Sequence, residues 1–262
     1  MSDHSEKLMP VLFVGHGSPM NAIEKNEFSE SWAGMAQSLP KPDAVLCISA
    51  HWETSGTQVS AVAKPDTIHD FGGFPEELFD VEYPAPGSPE LAKEIIRSVS
   101  KFNITADKNR GLDHGCWSVL RCMYPRAEIP VIQLSLNYAA EAATHYKLAK
   151  ELFFLRQKRI LIIGSGNMVH NLRLIDWDME GGGTEWAVSA NNLLKDLINH
   201  DEHQKLIDYK SLGKEVQLAV PTPEHYLPLL YAIALKQPDE TITYFNEKMV
   251  LGSLSMTSLK IG

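Results

Sequence analysis

The sequence predicts a single α/β domain over residues 1–262: a mostly parallel, doubly wound sheet flanked by helices, with C-terminal strands antiparallel. Three observations carry this. A length of 262 residues fits one α/β domain. Apolar residues make up 44% of the chain, enough for a full core. Short, near-continuous runs of Val, Ile and Leu recur with helical patterns between them, as parallel strands covered on both faces require.

Val11-Leu12-Phe13-Val14, between Pro10 and Gly15, reads as the first buried strand. Asp43 to Ala50, Ile129 to Leu136 and Arg159 to Ile163 read the same way. Ser88 as N-cap and Pro89 at the first helical position open a helix in which Leu91, Ile95 and Val99 follow at spacing four. Tyr138 to Leu155 and Glu185 to Asn199 are also read as helices, the second after Gly181-Gly182-Gly183 with Thr184 as its cap. Thr241 to Phe245 and Val250 to Leu259 read as two strands, antiparallel at an edge or near the site. Residues 1–9 read as a flexible N-terminus. Residues 65–87 show no sustained period and read as a lid-like loop. Its Phe71, Phe74, Phe79 and Tyr83 either wall an apolar pocket or pack on the core for the loop's own order.

Composition narrows the function. A formal charge of −9 argues against a nucleic-acid partner, whose phosphates are held by Lys and Arg. The N-terminus lacks an apolar signal segment, and the longest uncharged apolar run, Tyr226 to Leu235, is too short to span a bilayer. A soluble, cytoplasmic protein with no membrane partner is expected. Cys47, Cys116 and Cys122 show no metal-type spacing and are expected as buried free thiols.

Histidine placement is the strongest chemical signal. His16 follows the first strand, His51 the second, and His170 lies just past the strand that begins at Arg159. His225 opens a helix after an uncharged, strand-like stretch. Ligands of open α/β sheets gather beyond the carboxyl ends of the strands, so these four are expected to converge on one sheet edge. Imidazole donors suit Zn, Fe, Cu and Ni and not Mg or Ca. The glycines on either side of His16 allow close backbone approach to a ligand. His114 reads as a helix-start residue and a fifth candidate, and His69 in the loop as a substrate contact. His4, His145, His200 and His203 are expected on the surface. Gly164-x-Gly166-x-x-Val169 lacks the third glycine of a dinucleotide fingerprint, and Gly15-His16-Gly17-Ser18 is not a serine-hydrolase elbow.

Seven segments, taken in order, resemble the class III extradiol ring-cleavage dioxygenases of the LigB-type superfamily, and within it the 4,5-DOPA extradiol dioxygenase group. They are Phe13-Val14-Gly15-His16-Gly17-Ser18-Pro19, Ser49-Ala50-His51-Trp52, His69-Asp70-Phe71-Gly72-Gly73-Phe74-Pro75, Tyr83-Pro84-Ala85-Pro86-Gly87, Leu112-Asp113-His114-Gly115, Gly164-Ser165-Gly166 with His170-Asn171, and Pro221-Thr222-Pro223-Glu224-His225. The resemblance implies one mononuclear non-haem metal held by His16, His51 and His225. It implies His170 as the acid/base group, or as a fourth ligand instead, and His114 as a further catalytic residue at the substrate. His69, Phe71 and Phe74 fall on the substrate side.

The implied reaction inserts O₂ into a small catechol such as DOPA, with Fe(II) as the active metal. Several relatives use a carboxylate where this chain has His225, and an all-histidine set also fits Zn(II). The alternatives are a zinc hydrolase, with Glu53 or Glu224 as base, a tetrapyrrole metal chelatase, whose opening Leu12 to Ser18 also resembles, and a non-catalytic metal carrier.

Overall fold

The computed structural model describes residues 8–262; His4 and the rest of residues 1–7 lie outside them. A six-stranded sheet forms the centre. Its strands are β1 (Val11–Gly15), β2 (Ala44–Ser49), β3 (Val131–Gln133), β4 (Ile160–Gly166), β5 (Ile242–Phe245) and β6 (Ser258–Ile261), in the spatial order β3-β2-β4-β1-β6-β5. β3, β2, β4 and β1 run parallel, and β6 is antiparallel to both β1 and β5.

Every residue of β1, β2, β3 and β4 is buried. Side chains alternate across the sheet and divide the core into two layers. Val11, Phe13, Leu46, Ile48, Ile160 and Ile162 face one layer. Leu12, Val14, Val45, Cys47, Leu161 and Ile163 face the other. The main helices are α1 (Glu27–Ser38), α2 (Pro89–Ser98), α3 (His114–Met123), α4 (Ala142–Glu151), α5 (Glu185–Asn199) and α6 (Leu227–Ala234). Residues of α1 and α3 fall in one layer, and those of α2, α4, α5 and α6 in the other. The doubly wound, mostly parallel α/β fold is therefore present. Among the described residues no helix is long and apolar enough to cross a membrane. The apolar run Tyr226 to Leu235 is accounted for by α6, buried along its whole length.

Several local expectations are corrected. The segment Ile129 to Leu136 breaks into β3 and a two-residue strand, Leu136–Asn137, that pairs with Glu53–Thr54 just after His51. The helix expected from Tyr138 starts only at Ala142, because Asn137 to Ala140 form a turn, closed by the Ala140 N–H on the Asn137 carbonyl. Val250 to Leu259 is not one strand. Leu251 (φ 51°) and Gly252 (φ 72°) make a hairpin between Met249–Val250 and Leu254–Ser255, and β6 follows separately, inside the sheet and not at its edge. Residues before Pro221 form a helix, Lys214–Ala219, in place of the strand-like stretch. Met9 is buried and exchanges backbone and side-chain hydrogen bonds with Arg156, so order begins before residue 10. Cys47 and Cys116 are buried free thiols, whereas Cys122 is only half-buried.

The loop 65–87 carries a single short helix, Glu76–Phe79. Leu78, Val81, Tyr83 and Ala85 are buried, and the Tyr83 hydroxyl donates to the Tyr124 carbonyl. The loop thus packs on the core through its second half and leaves Phe71 and Phe74 half-buried over the sheet edge.

The fold itself requires the glycines around His16. A Cβ on Gly15 would stand 2.8 Å from the Met256 backbone, and Gly17 has φ +59° with Met256 against it. Gly15→Ala is expected to lower stability by roughly 1–3 kcal/mol, since backbone cannot yield as a flexible side chain does. Urea denaturation of the two proteins measures this.

Candidate active site

β1, β4 and β2 are adjacent, and their carboxyl ends deliver His16, His170 and His51 to one edge of the sheet. His225 arrives by another route. Its carbonyl accepts from the Asn167 N–H at 2.8 Å, which ties the turn before α6 to the end of β4. His114 is the first residue of α3, capped by the Asp113 side chain on the Cys116 N–H. The five rings meet there: His51 lies 3.9 Å from His114 and 5.0 Å from both His16 and His225, centroid to centroid. His170 stacks on His225 at 3.5 Å with an interplanar angle of 5°.

Hydrogen bonding fixes which nitrogens carry protons. The Ser165 hydroxyl donates its one proton to the Gly115 carbonyl at 2.5 Å, so it accepts from His16 Nδ1–H at 3.1 Å. His16 Nε2 is then a bare lone pair. The Glu224 carboxylate accepts from His225 Nδ1–H at 3.1 Å and leaves that Nε2 bare as well. Asp70 Oδ2 stands 3.4 Å from His51 Nδ1, and His51 Nε2 faces His16 Nε2 at 3.0 Å. Two ring nitrogens directed at each other with their protons on the far side repel unless a cation lies between them. One donor atom from each of His16, His51 and His225 falls within 4.8 Å of the others. The donor set therefore fits a divalent transition metal, with carboxylate and hydroxyl partners behind each imidazole.

Burial keeps these rings neutral, the form that binds metal. It lowers the pKa of His16 well below the ordinary range, helped by the neighbouring histidines. His51 is brought to about 2 by burial and by His114, and His225 is also lowered, chiefly by burial. His170 is lowered to about 3 by burial and by His225, and its imidazole hydrogen-bonds no other side chain among the described residues. The ring stacks on His225, and its donor atom falls within 4.8 Å of donors from Glu224 and His225, a group that shares His225 with the three-histidine set.

Asp70, in the loop, is a residue sequence reasoning missed although it quoted the segment that contains it. Its Oδ1 accepts from both the His114 backbone N–H (2.9 Å) and His114 Nδ1–H (3.0 Å). Behind this layer sits a buried carboxylate. Asp113 accepts from the Ser49 hydroxyl (2.6 Å), Gln133 Nε2 (2.7 Å) and Arg110 Nη2 (2.7 Å), and Arg110 also donates to the His51 carbonyl. The backbone around His51 and the start of α3 thus hang from one ion-paired hub.

The remaining histidines are dispersed. His69 is tied to the Val81 carbonyl at 3.0 Å and packs edge-on against Trp117 and Phe71. Phe71 reaches His114 at 5.6 Å, and Phe74 packs behind it at 5.4 Å. His145 is not on the surface. It belongs to the inner face of α4 with Leu148 and Ala149, close to the Tyr231 hydroxyl (3.0 Å) and the Asn137 carbonyl (3.2 Å). His203 is half-buried against the Tyr146 hydroxyl, and among the described residues only His200 is exposed as expected.

Known proteins are similar to this chain. Residues 9–251 match the family model described as the catalytic LigB subunit of aromatic ring-opening dioxygenase. The chain belongs to the LigB family. The 4,5-DOPA dioxygenase extradiol of Escherichia coli K12 is 45% identical over 98% of this chain and 96% of its own length. The protein of the same name from Beta vulgaris is 40% identical over 87% of each. A crystal structure of an uncharacterized Escherichia coli K12 protein superposes with a TM-score of 0.85 at 41% identity, covering 97% of this chain and 100% of that one.

The two carboxylates behind the histidines set an acid limit on stability. Burial opposes ionisation of Asp70, but its bonds to His114 outweigh this and lower it from 3.8 to about 2. Glu224, opposed by burial and held by His225 and Thr222, falls from 4.5 to about 2. Below these ordinary values the unfolded chain binds more protons than the folded one. The stabilisation is thus complete above pH 4.5 and is lost as pH falls towards 2. Asp70→Asn is expected to flatten that acid decline, read as the urea midpoint against pH.

Proposed function

We propose that this chain is a single-domain extradiol dioxygenase that opens a catechol ring beside its hydroxyl pair, 4,5-type on a substrate such as DOPA, giving a muconic semialdehyde-type product. The carrying observation is the convergence of bare imidazole nitrogens from His16, His51 and His225 in a LigB-family chain. These three residues would hold one Fe(II). When bound, it supplies coordination positions for the catechol oxygens and O₂ and the electron exchange that ring opening needs. Zn(II) fits the same neutral donors and is the metal to test against it.

The chain's own residues supply positioning and proton transfer. His170 takes a catechol hydroxyl proton through an imidazole that no other side chain hydrogen-bonds among the described residues. Asp70 keeps the His114 Nδ1 proton in place, so His114 Nε2 is left as an acceptor towards the substrate. Phe71, Phe74 and His69 give the substrate an aromatic wall and restrict water. A zinc hydrolase would need a free carboxylate base; Glu224 is engaged by His225 and Thr222, which leaves Glu53 for that reading. We place the protein in the cytoplasm, where free thiols persist.

The test is oxygen uptake by Fe(II)-loaded protein over a catechol panel that includes DOPA, followed by the yellow semialdehyde absorption. No oxygen consumption with any catechol would overturn the reading. Metal analysis of freshly isolated protein separates iron from zinc.

A further inference from the structure

His51 stands in a turn just beyond β2, outside the sheet ladder, yet both of its main-chain groups are taken. Its N–H donates to Ser49 Oγ at 3.2 Å, and its carbonyl accepts from Arg110 Nη2 at 3.2 Å. These two partners converge on one carboxylate. The Ser49 hydroxyl donates to Asp113 Oδ1 at 2.6 Å, and Arg110 Nη2 donates to Asp113 Oδ2 at 2.7 Å. The two oxygens of Asp113 thus grip the two sides of His51, each through one intermediary.

Asp113 is itself held. It is fully buried, its Oδ2 also accepts from Gln133 Nε2 at 2.7 Å, and its N–H donates to Gln133 Oε1 at 3.1 Å. Gln133 belongs to β3, the neighbour of β2, so the carboxylate is fixed relative to the sheet. Arg110 is aimed from the outer side. Its guanidinium carbon lies 5.1 Å from the centre of the Trp52 ring, and its N–H donates to Asp107 Oδ1 at 2.9 Å.

The same carboxylate caps α3, whose first residue is His114. A Cβ on Gly115 would stand 2.5 Å from Ser49 Oγ and 2.9 Å from His51 Cδ2, so the start of the helix rests directly on the His51 ring. One group therefore spaces a candidate metal ligand from the histidine on the substrate side. An ion pair drawn into the interior adds little net stability, because desolvation offsets most of the attraction. What this pair supplies is direction.

We propose that Asp113 and Arg110 are positioning residues for ring opening: with Ser49 they clamp the His51 backbone and set the His51–His114 spacing, on which metal geometry and substrate contact both depend. The proposal rests on the ring-opening assignment and extends the site beyond the histidines and Asp70.

The experiment measures kcat per bound metal, KM for the catechol, Zn(II) affinity by chelator competition and thermal unfolding in Ser49→Ala and Arg110→Ala. Both kcat per bound metal and Zn(II) affinity are expected to fall about 10–100-fold, the usual effect of removing a group that orients a ligand, with KM changed less than about threefold. Guanidinium ion, added below denaturing concentrations, should restore part of the loss in Arg110→Ala and none in Ser49→Ala, because only the first leaves a gap of that shape beside Asp113. Lower thermal stability with kcat per bound metal unchanged would make the clamp an element of the fold alone and overturn the proposal. An equal response of the two variants to guanidinium would overturn it as well. If Arg110→Ala does not fold, Ser49→Ala decides. If the parent protein opens no catechol, the ring-opening assignment fails, and the clamp is judged on Zn(II) affinity, where a value in Ser49→Ala equal to the parent's overturns it.

Discussion

Replacing His16, His51 or His225 with alanine is expected to remove the bound metal and ring opening together. Each supplies one of three donor atoms that fall within 4.8 Å of one another, and a two-histidine remnant holds a divalent ion far more weakly. The imidazole losses should also relieve crowding among buried, mutually repelling rings, because His16 and His51 are both held far below the ordinary histidine range. The metal-free variants are therefore expected to unfold no earlier than the metal-free parent. Metal content by elemental analysis, oxygen uptake and thermal unfolding together give the answer. Full metal content in all three variants would remove them as ligands.

His170→Ala separates the acid/base group from the ligand set. The ring lies flat on His225 and outside the three-donor group, so metal content should persist. Turnover should fall by roughly 10²–10⁴-fold, the usual worth of a positioned proton acceptor. Retained metal with this loss supports the base, loss of metal supports a fourth ligand, and an unchanged rate removes His170 from the reaction.

The parallel part of the fold was legible because its strands are buried on both faces and read as unbroken apolar runs. Helix α5 was legible to the residue, since the glycine run before Thr184 leaves only one place for it to start. The C-terminal strands were less so. Leu251 adopts a left-handed backbone in the hairpin, a conformation that a Leu-Gly pair signals far less clearly than Asn-Gly.

In the site, strand-end position pointed to His16, His51 and His170. His225 comes from a turn before α6 that only tertiary packing brings to the sheet, and there the resemblance carried more than the pattern. Asp70 and Ser165 had no signal of their own. A carboxylate or hydroxyl that orients an imidazole is defined by a three-dimensional contact across 149 residues for His16 and Ser165, and by 44 for His114 and Asp70. His145 shows the opposite lesson: it shares the inner face of its helix with Leu148 and Ala149, and that spacing was readable.

The pairing of β1 with β6 joins Val11 to Ile261 and Phe13 to Leu259. The strand that presents His16 therefore has one flank open until the ribosome has passed residue 261. Gly15, whose N–H is taken by the Ser258 hydroxyl, is unpartnered there until the same moment. Assembly of the histidine cluster thus waits for β6, made long after His16, and a nascent chain that lacks β6 carries the ligands without their geometry. A terminal truncation that removes only β6, some 240 residues from His16, should cost the metal as surely as loss of the histidine itself.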